Sequence, residues 1–233
     1  MIILIYITGD MHGEIDYSSI NTKRFPEQKR MTKNDFLIIA GDFGAIWYPR
    51  ESKFFGRDRY LINQLNAKNF TTLFVDGNHE NFSEIYRYPV VNFMGGKAHK
   101  ISDSIYHLMR GEIYNIEGKS FFCFGGARSH DKAMRVEGES WWPEEIASTE
   151  EMWNGADNLQ KRKDSVDFVI THCCSSITQE KVWPYYETDA MTQYLNYIEK
   201  NVKFSHWFFG HYHEDREIDE RHTCLYNKII RIH

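Results

Sequence analysis

Five short apolar runs punctuate the chain, and each stops at a small or polar residue beside Asp, Asn or His. They are Ile2–Thr8 ahead of Gly9-Asp10, Phe36–Ala40 ahead of Gly41-Asp42, Thr71–Val75 ahead of Asp76-Gly77-Asn78, Phe168–Thr171 ahead of His172, and Trp207–Phe209 ahead of Gly210-His211. Uninterrupted apolar character marks strands covered on both faces, as in a parallel sheet between helix layers. Between the runs the period lengthens. Tyr60, Leu61 and Leu65 among polar neighbours predict a helix near residues 52–67, and Met191, Tyr194, Leu195 and Ile198 predict another, capped by Thr188 or Asp189. Ser148 and Glu151 have capping-box spacing ahead of Met152, Ala156 and Leu159, and Lys161-Arg162-Lys163 suits the C-terminal end of that helix. Glu112–Ile116 and Lys119–Phe124 predict an antiparallel pair turning at Glu117-Gly118; Thr223–Tyr226 and Lys228–Ile232 predict a second, turning at Asn227. Strands alternating with helices, plus hairpins, give a layered α/β sandwich.

With 233 residues, 42% of them hydrophobic, the chain can bury a sizeable core. No repeat, low-complexity tract or Pro/Ser-rich linker divides it, so residues 1–233 are expected to form a single domain. Its 28 basic against 33 acidic residues supply no polycation for counterion-release binding, so nucleic acid enters only as a conceivable substrate. The opening apolar run is too short to span a bilayer. Cys173 and Cys174 are adjacent, where a mutual bridge would be strained, and with Cys123 and Cys224 they suggest a reducing, cytoplasmic setting.

In α/β sheets the carboxyl ends of parallel strands gather on one edge. The five strand ends would therefore bring together Asp10, His12, Asp42, Asn78, His79, His172, His211 and His213. Asp10 and His12, like His211 and His213, stand two residues apart, so in extended backbone both members point the same way. Hard oxygen and imidazole donors without thiolates suit Mn²⁺, Fe or Zn²⁺. Any one Gly-Asp after a strand is an ordinary turn. Five strand ends presenting ligand-type residues together are not explained by turns. His99, His107, His206, His222 and His233 lack that context and are expected to be structural.

Gly9-Asp10-Met11-His12-Gly13, Gly41-Asp42, Gly77-Asn78-His79-Glu80, Thr171-His172 and Gly210-His211-Tyr212-His213, in that order, resemble the motifs of the calcineurin-like metallophosphoesterase superfamily. The resemblance spans residues 9 to 213. It implies a four-layer sandwich, two mixed β-sheets flanked by helices, around two divalent ions, with Mn²⁺ foremost and Fe or Zn²⁺ as alternatives. Carried onto this chain, it implies that Asp10, His12 and His213 hold one ion, that Asn78, His172 and His211 hold the other, and that Asp42 bridges them. His79 is then the non-ligand, placed to protonate a leaving group. The implied activity is hydrolysis of a phosphomonoester or phosphodiester in a small phosphorylated substrate, by direct attack of metal-bound hydroxide. A nuclease or cyclic-nucleotide-type diesterase is the rival within catalysis, and a non-catalytic scaffold on the same fold is the rival outside it.

The chain departs from the pattern after the bridging Asp. Many members carry an acid three positions on, next to an Arg, whereas this chain reads Asp42-Phe43-Gly44-Ala45-Ile46-Trp47. Glu80, Asp76 or Asp16 are the substitutes for the acid that orients His79. Arg128, with His130 nearby, is the substitute for the phosphate-binding Arg. Both lie in a stretch over residues 125–165 expected to form a substrate loop and helix, where Trp141-Trp142 either pack beneath a helix or stack on an aromatic leaving group.

Overall fold

The computed structural model describes residues 3–232. Its first sheet takes β1 (Ile5–Thr8), β2 (Phe36–Ile39), β3 (Thr71–Phe74), β4 (Val90–Phe93), β5 (Gly96–Ser102) and β6 (Ile105–Leu108). Its second takes β7 (Glu112–Ile116), β8 (Lys119–Phe124), β9 (Phe168–Thr171), β10 (His206–Phe209), β11 (Arg216–Asp219) and β12 (His222–Cys224). The last strand, β13 (Ile230–Ile232), returns to the first sheet, giving the orders β13-β1-β2-β3-β6-β5-β4 and β11-β12-β10-β9-β8-β7. Both sheets are mixed. Strands β1, β2, β3 and β6 run parallel in one, and β8, β9, β10 and β12 in the other.

The period of two along these strands separates three cores. Ile5, Ile7, Phe36 and Ile38 point inward to meet Phe121, Cys123, Phe168, Ile170 and Phe208 from the opposite sheet. The alternate residues point outward. Tyr6, Leu37 and Ile39 pack against α1 (Phe55–Asn66), while Phe122, Val169, Trp207 and Phe209 pack against α3 (Thr149–Lys161) and α5 (Ala190–Asn201). Two short helices, α2 (Phe82–Ile85) and α4 (Ser176–Val182), follow the loops after β3 and β9. The result is the expected four-layer sandwich of two mixed sheets flanked by helices.

Local signals hold where the chemistry is local. Ser148 and Glu151 form the full capping box of α3, and Asp189 rather than Thr188 caps α5, with Thr192 completing a box. The β7–β8 hairpin has its expected limits. Strand β1 begins at Ile5, while Ile2, like His233, lies outside the described residues. The second expected hairpin does not form. Strand β12 runs beside β10 and β11, while β13 crosses to pair antiparallel with β1. The turn at Asn227 thus links two sheets, and Asp215 holds it by accepting from the backbone amides of Tyr226, Asn227 and Lys228.

Candidate metal centre

The parallel strands end on one rim of the sandwich, and the residues just beyond them meet there from both sheets. Asp10 follows β1, Asp42 follows β2 and Asn78 follows β3; His172 follows β9, and His211 and His213 follow β10. One ligand-type atom each from Asp10, His12, Asp42 and His213 lies within 4.8 Å of the others. On the far side of Asp42, the Nε2 atom of His172 stands 3.2 Å from an Asp42 oxygen and 3.2 Å from the Asn78 side-chain oxygen. The His211 ring is 5.0 Å from that of His172. Asp42 therefore touches both groups of donors.

The backbone is bent to achieve this. Among the described residues, eight other than glycine have φ between +44° and +71°, and His12, Asp42, His211 and His213 are four of them. Such conformations are costly and persist where the surroundings enforce them, which ties the strain to this rim. Two glycines clear the space. A Cβ at Gly77 would fall on the Asp42 carboxylate, and one at Gly210 on the Asp10 carboxylate. Gly77, before Asn78, and Gly210, before His211, thus bring backbone close to an acid side chain, beyond their role as turns.

Surrounding groups fix the donors. His172 donates Nδ1–H to the Ala40 carbonyl at 2.9 Å, and His12 faces Asp16 through Nδ1 at 2.7 Å, so in each ring Nε2 is the atom turned to the centre. Asn78 donates to Ser129 Oγ at 3.2 Å, which leaves its oxygen toward His172. Tyr226 stacks on His213 at 4.8 Å between ring centroids. Neither Ser129 nor Tyr226 carries a motif, and only the folded chain brings them here.

A divalent cation fits this donor set. Asp10 and Asp42 are each 1% exposed, and two carboxylates so buried need positive charge beside them. Burial drives the Asp10 carboxyl up to about 7, with the Asp42 charge adding to the rise. At Asp42, burial pushes upward too, but the charge of His172 and hydrogen bonds from His12 and His172 hold it well below the usual range.

His79 sits beside the centre, its backbone N–H donating to Asp42 at 2.8 Å and its ring 5.5 Å from that of His12. None of the three acids expected to orient it does so. Asp16 is on His12, Asp76 is enclosed by Arg110 and His107, and Glu80 accepts from the backbone amides of Phe43 and Gly44. The side chain on His79 is Arg135, with guanidinium nitrogens 3.3 and 3.4 Å from the ring nitrogens. Asp131 and the Ser140 carbonyl anchor Arg135 at 2.7 and 3.1 Å. Burial lowers the His79 imidazole; Asp42 opposes the fall, and Arg135 deepens it.

Arg128 is turned away, paired with exposed Glu187 at 2.5 Å. His130 reaches the rim, its ring 5.7 Å from that of His211 and against Tyr186. Trp142 is buried, donates to Ser83 and packs edge-on against Trp47, the packing role considered for it. Trp141 carries Lys132 over its ring.

A family model described as calcineurin-like phosphoesterase matches residues 3–215. The chain belongs to the calcineurin-like phosphoesterase family. Comparison with curated proteins finds no match. In this family member the Asp/His cluster can bind metal, and phosphoester hydrolysis is the activity the family indicates. All four cysteines are buried and unbridged, with Cys174 against the Tyr212 hydroxyl at 3.3 Å. No described helix is long and apolar enough to cross a membrane.

Proposed function

We propose that this chain hydrolyses a phosphoester with the help of two divalent cations, held by Asp10, His12 and His213 on one side and by Asn78, His172 and His211 on the other, with Asp42 between. The observation that carries the reading is Asp42, which stands 3.3 Å from His12 Nε2 and 3.2 Å from His172 Nε2, within reach of both donor sets. Mn²⁺, Fe or Zn²⁺ bound there would polarise the phosphoryl group and lower the pKa of water toward about 7. The protein side chains supply the rest. Arg135, fixed by Asp131, presents its guanidinium to the phosphoryl oxygens beside His79. His79 passes a proton to the departing oxygen, and a phosphoryl dianion close by favours that proton against burial and Arg135. No side chain near phosphorus is assigned as nucleophile, so no covalent phospho-enzyme forms.

The test is an assay of metal-stripped and Mn²⁺-reloaded protein on an aryl phosphomonoester and a bis-aryl phosphodiester. Turnover of at least one ester only after reloading is expected. Failure to turn over either ester with Mn²⁺, Fe²⁺ or Zn²⁺ contradicts the reading.

A further inference from the structure

A cavity of about 290 Å³ opens beside the centre, with His12 and His79 in its wall. A proton donor must stand next to the oxygen it protonates, so the group departing from phosphorus lies on the His79 side. The other walls of this cavity then meet that group. Half-buried Trp47 and Tyr48 and buried Leu61 give it flat, apolar surface, and Ile15, 80% exposed, lies at the mouth.

Two charged features refine the fit. Arg57 stands at the rim, but its Nε and Nη2 atoms donate to the two Glu14 oxygens at 3.2 and 2.5 Å. Among the described residues lining the cavity, Arg57 is the one guanidinium or ammonium, and its charge is already paired with Glu14. Asp58 lies in the inner wall, and one of its oxygens accepts from the Trp47 and Tyr48 amides at 2.7 Å each. Its other oxygen accepts no hydrogen bond among the described residues. Burial raises this carboxyl to about 6, so at neutral pH it is mainly an ionised acceptor that calls for an N–H or O–H partner.

Building on the phosphoesterase reading, we propose that this cavity is the leaving-group pocket and that it takes an uncharged flat ring bearing an N–H donor, so that the substrate is a phosphoester of a single nucleoside. The cavity is at the small end for ligand pockets, enough for one nucleoside and not for an oligonucleotide. The ring would lie against Trp47 and Tyr48, with its N–H on Asp58.

The walls proposed to grip the ring, Trp47, Tyr48, Asp58 and Leu61, include no proposed metal ligand, so binding can be read apart from catalysis. Metal-stripped protein titrated with adenosine, followed by calorimetry and tryptophan fluorescence, is expected to bind saturably, and Leu61→Trp to abolish binding by filling the cavity. Tyr48→Ala, at a half-buried site, should weaken binding at least about fivefold. With Mn²⁺ restored, kcat/KM for adenosine monophosphate should exceed that for glycerol phosphate at least about tenfold, and Tyr48→Ala should shrink this preference. Turnover of glycerol phosphate without adenosine binding would overturn the pocket assignment alone. Anisole, a flat ring with neither N–H nor O–H, binding as tightly as adenosine would overturn the donor requirement. Loss of all ester turnover in Mn²⁺-loaded wild-type protein would overturn the phosphoesterase reading and the leaving-group assignment with it.

Discussion

His172 Nδ1 lies 2.9 Å from the carbonyl oxygen of Ala40, 132 positions earlier in the chain. Ala40 ends the β2 run of one sheet and His172 follows β9 of the other, so this bond ties together the two rims that build the centre. A carbonyl can only accept, which makes Nδ1 the protonated nitrogen and commits Nε2 to Asp42 and Asn78. The donor set is thus oriented by the packing of one sheet on the other.

His79→Ala should lower turnover by about 10²–10⁴ while leaving metal content intact, because the ring is assigned to proton transfer and not to ligation. Steady-state kinetics paired with elemental analysis checks this. Unchanged turnover would remove His79 from the reaction.

Arg135→Ala should lower kcat/KM for a phosphomonoester by about 10- to 100-fold, the scale of a lost charged hydrogen bond. Arg128→Ala, whose partner is the exposed Glu187, should change it little. Kinetics of the two variants side by side would distinguish them, and a larger effect at Arg128 would reverse the assignment.

Gly210→Ala places a Cβ on the Asp10 carboxylate and 2.8 Å from the Ala40 carbonyl oxygen. Relief requires moving the Asp10 side chain or the backbone. The expected cost is about 1–3 kcal/mol of stability, together with weaker Mn²⁺ binding. Denaturant unfolding and a metal titration measure the two effects; wild-type values for both would show that the rim accommodates the methyl freely.

His99 is buried with its Nδ1 atom 3.0 Å from Nδ1 of His107, whose Nε2 meets Asp76, and the Tyr86 ring lies alongside. Burial, and then the charge of His107, push His99 down from 6.5 to about 4. The neutral ring belongs to the folded state, so its stabilising contribution is complete above pH 6.5 and is lost as pH falls through about 4. His99→Gln should therefore lose less Tm than wild type between pH 7 and 4, at roughly 2–4 °C per kcal/mol for a chain of this size. Parallel Tm profiles for the two proteins would contradict this.

The candidate donors were legible because they follow strands that announce themselves. Ile5–Thr8, Phe36–Ile39, Thr71–Phe74 and Phe168–Thr171 are buried throughout, which writes them as apolar runs, and the candidate donors begin where the runs break. Strand β4 alternates exposed and half-buried positions at a sheet edge, so its apolar signal is weak. Sheet membership was not legible either. Nothing local to Lys228–Ile232 says that its partner is β1, more than 220 residues away, which is why a hairpin with the preceding strand looked natural. Sequence separation does not distinguish Arg135 from Arg128, since both lie about 50 positions from His79, and only folding sets Arg135 on that ring. The available clue was Asp131, four residues before Arg135, which pins that side chain in a loop otherwise rich in exposed charge.

The most direct test of the central claim is anomalous scattering at the manganese edge from crystals of metal-stripped protein grown with Mn²⁺, recorded for wild type and Asp42→Ala. The account predicts two peaks in the wild type, one among Asp10, His12 and His213 and one among Asn78, His172 and His211, with Asp42 reaching both. It predicts that Asp42→Ala loses at least one of them. A wild-type map with no peak on this rim, or undiminished double occupancy in Asp42→Ala, would contradict it.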